Sequence, residues 1–93
     1  MSIRSFKDRE TERVYNGEKS KRWSSIAKIA KRKLHMLDVA ITLLDLASPP
    51  GNRLHALSKD RAGQHSISVN DQFRICFRWT NAGPADVEIA DYH

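Results

Sequence analysis

The fold is decided by one alternating stretch of the chain, Ser66-Ile67-Ser68-Val69-Asn70-Asp71-Gln72-Phe73-Arg74-Ile75-Cys76-Phe77-Arg78-Trp79. Apolar and polar residues alternate on both sides of Asn70 and Asp71, and a period of two is typical of a strand with one face on a core. Because Asn and Asp favour tight turns, we predict an antiparallel hairpin with a two-residue turn at these positions. One face of its second strand carries Phe73, Ile75, Phe77 and Trp79, and the other carries Gln72, Arg74, Cys76 and Arg78.

Further strands are predicted on both sides of this hairpin. Residues 53–57 read as a short strand, and Asp60-Arg61-Ala62-Gly63 reads as the turn that follows it. Residues 81–84 turn the chain again, and Val87-Glu88-Ile89-Ala90 reads as a last strand that leads into Asp91-Tyr92-His93. The second half of the chain therefore predicts a meander of antiparallel strands.

The first half of the chain predicts two helices. Residues 2–6 read as a short strand or arm, and residues 8–15 as a short helix that stops at Asn16-Gly17. Ser24 or Ser25 can cap a second helix of about five turns, which Ser48-Pro49-Pro50-Gly51 ends. Apolar residues along this second helix recur at spacings of three and four, at Ala27, Ala30, Leu34, Leu37, Ile41 and Leu44.

The apolar stripe of the long helix can cover the apolar face of the sheet. The predicted fold class is α+β: two N-terminal helices packed on a small twisted antiparallel sheet, in a single domain of residues 1–93. The opposite sheet face, which carries Arg74 and Arg78, is expected to stay open.

Composition narrows the function. The chain has 93 residues, a formal net charge of +5 and a pI near 9.7. This charge indicates a polyanionic partner, either nucleic acid or an acidic protein segment; the alternative is a solvated basic surface. Cys76 is the only cysteine, so no intrachain disulfide can form, and a reducing cytoplasm is expected. No apolar run approaches the about 20 residues of a transmembrane helix, and no Cys/His cluster has zinc spacing, so neither a membrane nor a metal is expected.

Basic residues lie opposite the apolar stripe of the long helix. Lys28, Lys31, Arg32 and His35 share helical spacing there, and Lys21 and Arg22 precede them. This basic ridge is either a solvated surface or a phosphate-binding surface.

The residues that carry proton-transfer chemistry are Asp91-Tyr92-His93 at the end of the last strand and His55. Metal-free RNA cleavage needs a base for the ribose 2′-OH, an acid for the leaving 5′-oxygen and a cation for the phosphoryl oxygens. Arg74 can supply a planar, bidentate cation, and Lys59 and Arg61 can grip the RNA backbone. The alternatives are a surface histidine at position 55, a cross-strand pair between Arg74 and Glu88, and a polar tail.

Three segments resemble the HigB branch of the RelE/ParE toxin superfamily. They follow the patterns L-x-x-L-x-x-x-R-x-G from Leu54, S-I-x-V-N-x-x-x-R-I-x-F from Ser66, and D-Y-H from Asp91. Ile3-Arg4-Ser5-Phe6 also matches the start of the family, so the resemblance covers nearly the whole chain.

The resemblance implies a RelE-like two-layer toxin of a type II toxin–antitoxin pair that cleaves mRNA in the ribosomal A site without cofactor or metal. It implies a HigA-like antitoxin that neutralises the toxin, and contact with operator DNA only through that antitoxin. His55, Asp91, Tyr92 and His93 fall on the catalytic constellation of the family, and Arg74 falls on its phosphate stabiliser. The ribosome-binding residues would be Lys21, Arg22, Lys28, Lys31, Arg32, Lys59, Arg61 and Arg78. Ser58 departs from a relative that has a basic residue there.

Two other functions fit the same fold. A ParE-like toxin would inhibit DNA gyrase without RNA chemistry, and His55, Tyr92 and His93 count against it. A non-catalytic module would act only with an antitoxin on operator DNA, and it predicts no growth arrest when the chain is expressed alone.

Overall fold

The structure is a computed structural model that describes residues 2–91; the predictions made for Tyr92 and His93 lie outside the described residues. Two helices come first, α1 at Arg9–Tyr15 and α2 at Ala27–Val39. The strands are β1 at His55–Ala56, β2 at His65–Ser68, β3 at Phe73–Thr80 and β4 at Gly83–Asp91. They form one sheet in the order β1-β2-β3-β4, with every neighbouring pair antiparallel. The predicted α+β class is confirmed.

The core lies between the two helices and one face of the sheet. Ala30, Leu34 and Leu37 of α2 have no solvent-exposed surface, and neither do Ile75 and Phe77 of β3. Phe73 and Trp79 of β3 are partly buried and pack against the edge of the same core. The period of two predicted for this strand is therefore confirmed, because the apolar residues of β3 share one face.

The N-terminal segment, predicted as a short strand or arm, is an arm that runs parallel to β4 and covers the outer edge of the sheet. The Arg4 N–H donates to the Pro84 carbonyl at 2.7 Å, and the Lys7 N–H donates to the Val87 carbonyl at 2.9 Å. The Ile3 N–H donates to Asp38 Oδ1 of α2 at 2.9 Å. These bonds satisfy backbone groups that an exposed strand edge would leave unpaired.

The predicted bounds of the long helix are wrong at both ends. No serine side chain caps α2, whose first residue follows Ile26, and the helix stops at Val39. The carboxylate of Asp45 accepts the N–H groups of Ile41 and Thr42 at 2.9 and 3.0 Å and begins a 3₁₀ helix at Leu43–Ala47. Ile41 and Leu44 are consequently 71% and 78% exposed, and Leu46 takes the buried position that the stripe assigned to them.

The hairpin connection is longer than predicted. Ser68 and Arg74 are the last paired residues, so residues 69–72 form the loop between β2 and β3. Asn70 Oδ1 accepts the N–H groups of Gln72 and Phe73 at 2.9 and 2.7 Å. The Val69 and Asn70 N–H groups both donate to the Phe73 carbonyl, at 2.9 and 3.2 Å, so backbone and side-chain bonds together hold this longer loop.

The second face of the sheet is partly covered, which corrects the expectation of an open face. Ser66 and Cys76 on this face have no solvent-exposed surface. Arg61, from the 3₁₀ helix Lys59–Arg61 after β1, pairs at 2.6 Å with Glu88, which lies opposite Cys76 in the sheet. Burial raises the pKa of the Cys76 thiol. No helix among residues 2–91 is long and apolar enough to cross a membrane.

Candidate active site

Arg74 is held in a fixed orientation on the second face of the sheet. Its Nε–H donates to Ser66 Oγ on the neighbouring strand at 2.7 Å, and its Nη2 donates to the carbonyl of Arg53 at 2.8 Å. A guanidinium is planar, so two bonds from different nitrogens fix both its position and its plane. The sheet register places Ser68 and Ala90 directly opposite Arg74. Such a cation suits bidentate recognition of a phosphate.

The structure brings His55 into contact with this arginine. His55 is exposed on edge strand β1, and its Nδ1 lies 3.1 Å from Arg74 Nη2 and 3.3 Å from the Arg53 carbonyl oxygen. If Nδ1 accepts from Arg74, the ring proton sits on Nε2; if Nδ1 donates to the carbonyl, Nε2 presents a lone pair. The ring therefore has a partner for either tautomer, which suits a group that transfers protons.

Arg53 is a site residue that sequence reasoning missed. Its carbonyl oxygen lies within hydrogen-bonding distance of both Arg74 and His55. Its backbone is left-handed, with φ 48° and ψ 49°, directly after the 3₁₀ helix Pro50–Asn52. Ser48-Pro49-Pro50-Gly51 before it predicted the end of the long helix, but no sequence pattern reports where a carbonyl points.

Asp91 lies at the end of β4, opposite Phe73, and its Oδ2 accepts a bond from Gln72 Nε2 at 3.1 Å. Directly opposed residues share a face of a sheet, so this register puts Asp91 on the face of Phe73, while Arg74 shares the other face with Ala90. The structure thus brings His55 and Arg74 into contact. Asp91 lies opposite the residue before Arg74 and on the other face of the sheet.

Comparison with known proteins identifies the family. A family model described as the RelE-like toxin of the type II toxin–antitoxin system HigB matches residues 4–93. The chain belongs to the HigB-like toxin family. It is 42% identical over 78 residues, 82% of each chain, to a protein named Toxin HigB-1 of Vibrio cholerae serotype O1. It is also 36% identical over 67 residues, 72% of this chain and 66% of the other, to an uncharacterized protein of Haemophilus influenzae.

As a HigB-like toxin of a type II toxin–antitoxin system, the protein has an antitoxin as its partner. A series of ring contacts connects Arg22 of the toxin to the sheet end where Asp91 lies. Arg22 stacks on Trp23, with 4.9 Å from its guanidinium carbon to the ring centroid. Trp23 in turn contacts Phe73 edge-on at 5.4 Å, and Phe73 is the cross-strand neighbour of Asp91. The buried Trp23, which sequence reasoning had not singled out, thereby anchors the loop that carries Lys21 and Arg22.

The basic ridge of the toxin is exposed. Its five lysines and arginines with predicted ribosome contacts are all solvent-accessible, at Lys21, Arg22, Lys28, Lys31 and Arg32. The amine of Lys31 lies against Gly17, where a Cβ would approach it to 2.9 Å and where the backbone φ is +79°. Exposure fits both the solvated surface and the phosphate-binding surface.

The remaining predicted RNA-binding residues of the toxin differ in exposure and in the ion pairs that they form. Lys59 is exposed, Arg61 is engaged by Glu88, and Arg78 Nε lies 3.2 Å from Asp86 Oδ2 on the surface. Glu88, which the sequence offered as a partner for Arg74, forms its ion pair with Arg61. Within residues 2–91, no group of three or more His, Cys, Asp or Glu side chains is placed to hold a metal ion.

Proposed function

We propose that this HigB-like toxin is a metal-independent endoribonuclease that cleaves mRNA on the ribosome. The contact between His55 and Arg74 is the observation that supports the proposal. Arg74 would bind the scissile phosphate and stabilise the charge that develops on its oxygens. His55, exposed beside it, would transfer one of the two protons that cleavage by the ribose 2′-OH requires.

The remaining proton transfer is proposed for the end of the chain. Tyr92 and His93 would supply it together with Asp91, whose side chain would have to turn from the face of Phe73 toward that of Arg74. The exposed basic ridge and Lys59 would bind ribosomal RNA phosphates, and Arg61 and Arg78 would join them only by leaving Glu88 and Asp86. A HigA-like antitoxin would neutralise the toxin in the cytoplasm and connect it to operator DNA.

Primer extension on a translated transcript, with and without ribosomes, tests this function. We expect new mRNA ends only when the wild-type toxin and ribosomes are both present, because the ribosome supplies the phosphates that the basic ridge binds. A DNA supercoiling assay on the same preparation is the control for gyrase inhibition. Growth arrest without new mRNA ends, together with inhibition of DNA supercoiling by gyrase, would contradict the proposal and favour the ParE-like function.

A further inference from the structure

A buried lysine on α2 reaches toward the site. Lys33 is 6% exposed, and its Nζ donates to Oδ1 of Asn52, a neutral amide that has no exposed surface. Burial lowers the pKa of the Lys33 amine, and the neighbouring Arg32 cation acts in the same direction. An apolar side chain would fill this position without the desolvation of an amine. We therefore attribute the lysine at this position to the hydrogen bond that it donates to Asn52.

Asn52 connects this amine to the segment that precedes the site. Its Nδ2 donates to the Leu46 carbonyl at 3.1 Å and to the Ser48 carbonyl at 3.3 Å. One amide group thus joins α2 to both 3₁₀ helices between the helical layer and β1. Its position is fixed because both its oxygen and its nitrogen are bonded.

Asn52 is also the residue directly before Arg53. The left-handed turn at Arg53 begins where the Asn52 side chain is held, and the Arg53 N–H donates to the Pro50 carbonyl at 3.1 Å. The Arg53 carbonyl then accepts Arg74 Nη2 at 2.8 Å and lies 3.3 Å from His55 Nδ1. A shift of Asn52 would therefore move an oxygen that both candidate catalytic side chains contact.

We propose that Lys33 and Asn52 are positioning residues that fix the Arg53 carbonyl and, through it, the plane of Arg74 and the tautomer of His55. The catalytic meaning of this arrangement rests on the proposed endoribonuclease function, but the arrangement itself is measurable without RNA. Neither residue touches the place where a phosphate would bind; both act through the backbone of Arg53.

Nitrogen-15 NMR of the full-length toxin tests the proposal. Lys33→Met keeps an unbranched side chain, one atom shorter than lysine, and removes the amine. We expect the nitrogen-15 chemical shifts of the His55 ring to move toward those of the averaged tautomers of a free imidazole. We also expect the Arg74 Nη–H groups, one of which donates to the Arg53 carbonyl, to exchange with water about tenfold faster or more. Lys33→Gln, whose amide nitrogen lies one bond closer to the backbone than the lysine amine, replaces Lys33→Met in the experiment if that variant does not fold. It is expected to change both signals in the same direction.

Two matched variants separate positioning from general effects. Lys19→Met removes an exposed lysine, and Val14→Ala loosens the core on α1 far in sequence from the Lys33–Asn52 bond. Both are expected to leave the His55 and Arg74 signals at wild-type values. If the Lys33 variants also leave them there, even with a lowered thermal midpoint, the lysine is only structural and the proposal is overturned.

Kinetics then separate this proposal from the proposed function. On ribosome-bound mRNA, we expect the Lys33 variant to lower kcat about tenfold with little change in KM, because the basic ridge proposed to bind ribosomal RNA is unchanged. Moved NMR signals with an unchanged kcat would uphold the positioning of His55 and Arg74 and count against their role in cleavage.

Discussion

At the scale of single residues, the site depends on Arg53, whose left-handed backbone costs about 1–2 kcal/mol for a residue other than glycine. Strain of this kind persists only where surrounding contacts outweigh it, and it concentrates at functional sites. Here those contacts are the bonds of Asn52 before Arg53 and the bond that Arg74 donates to its carbonyl. The strained residue is thus the one whose carbonyl contacts both candidate catalytic side chains.

Cys76 gives a prediction at the same scale. Burial raises its pKa above the ordinary 9.0, so above that pH the unfolded thiol releases its proton while the folded thiol keeps it. Folding then loses stability as pH rises, by up to about 1.4 kcal/mol per pH unit from this one group. Urea unfolding of the wild type and Cys76→Ala at pH 7.5 and 9.5 should show the stability difference changing in favour of the variant. A difference that is independent of pH would refute the buried, neutral thiol.

At the scale of elements, the sequence predicted the strands better than the helix. The alternation of Ile75 and Phe77 with Arg74 and Cys76 follows directly from the pleat of a strand, and burial confirms it. For the helix, the apolar spacing of three and four continued through Ile41, beyond the end of α2. Spacing alone does not reveal the hydrogen bonds that Asp45 accepts just after that end.

The end of α2 can be tested with two identical substitutions. Leu37→Asp would place a carboxylate at a position with no exposed surface and should lower the free energy of unfolding by several kcal/mol, near the upper limit of about 4–5 for single substitutions. Ile41→Asp, at a residue that is 71% exposed, should change it by no more than about 0.5 kcal/mol. Chemical denaturation measures both, and equal losses would mean that α2 extends through Ile41.

At the scale of the whole molecule, the two layers divide the work between stability and the candidate site. The helices and the apolar sheet face form the core, while His55 and Arg74 meet on the other face, where Arg61 also pairs with Glu88. The motifs predicted candidate site residues, and the structure brings two of them, His55 and Arg74, into contact. The motifs could not predict the buried Lys33 or the Arg53 carbonyl, because both depend on hydrogen bonds between segments distant in sequence.

The central claim is that Arg74 and His55 form the centre of a ribonuclease. Its most direct test is the single-turnover rate of cleavage of ribosome-bound mRNA by Arg74→Gln, with Arg9→Gln, an exposed arginine on α1, as the matched control. We predict that Arg74→Gln slows cleavage by about 100-fold or more while the fold is retained, since loss of a charge-stabilising donor has effects of that order. Cleavage by a folded Arg74→Gln variant at the rate of the control would contradict the account.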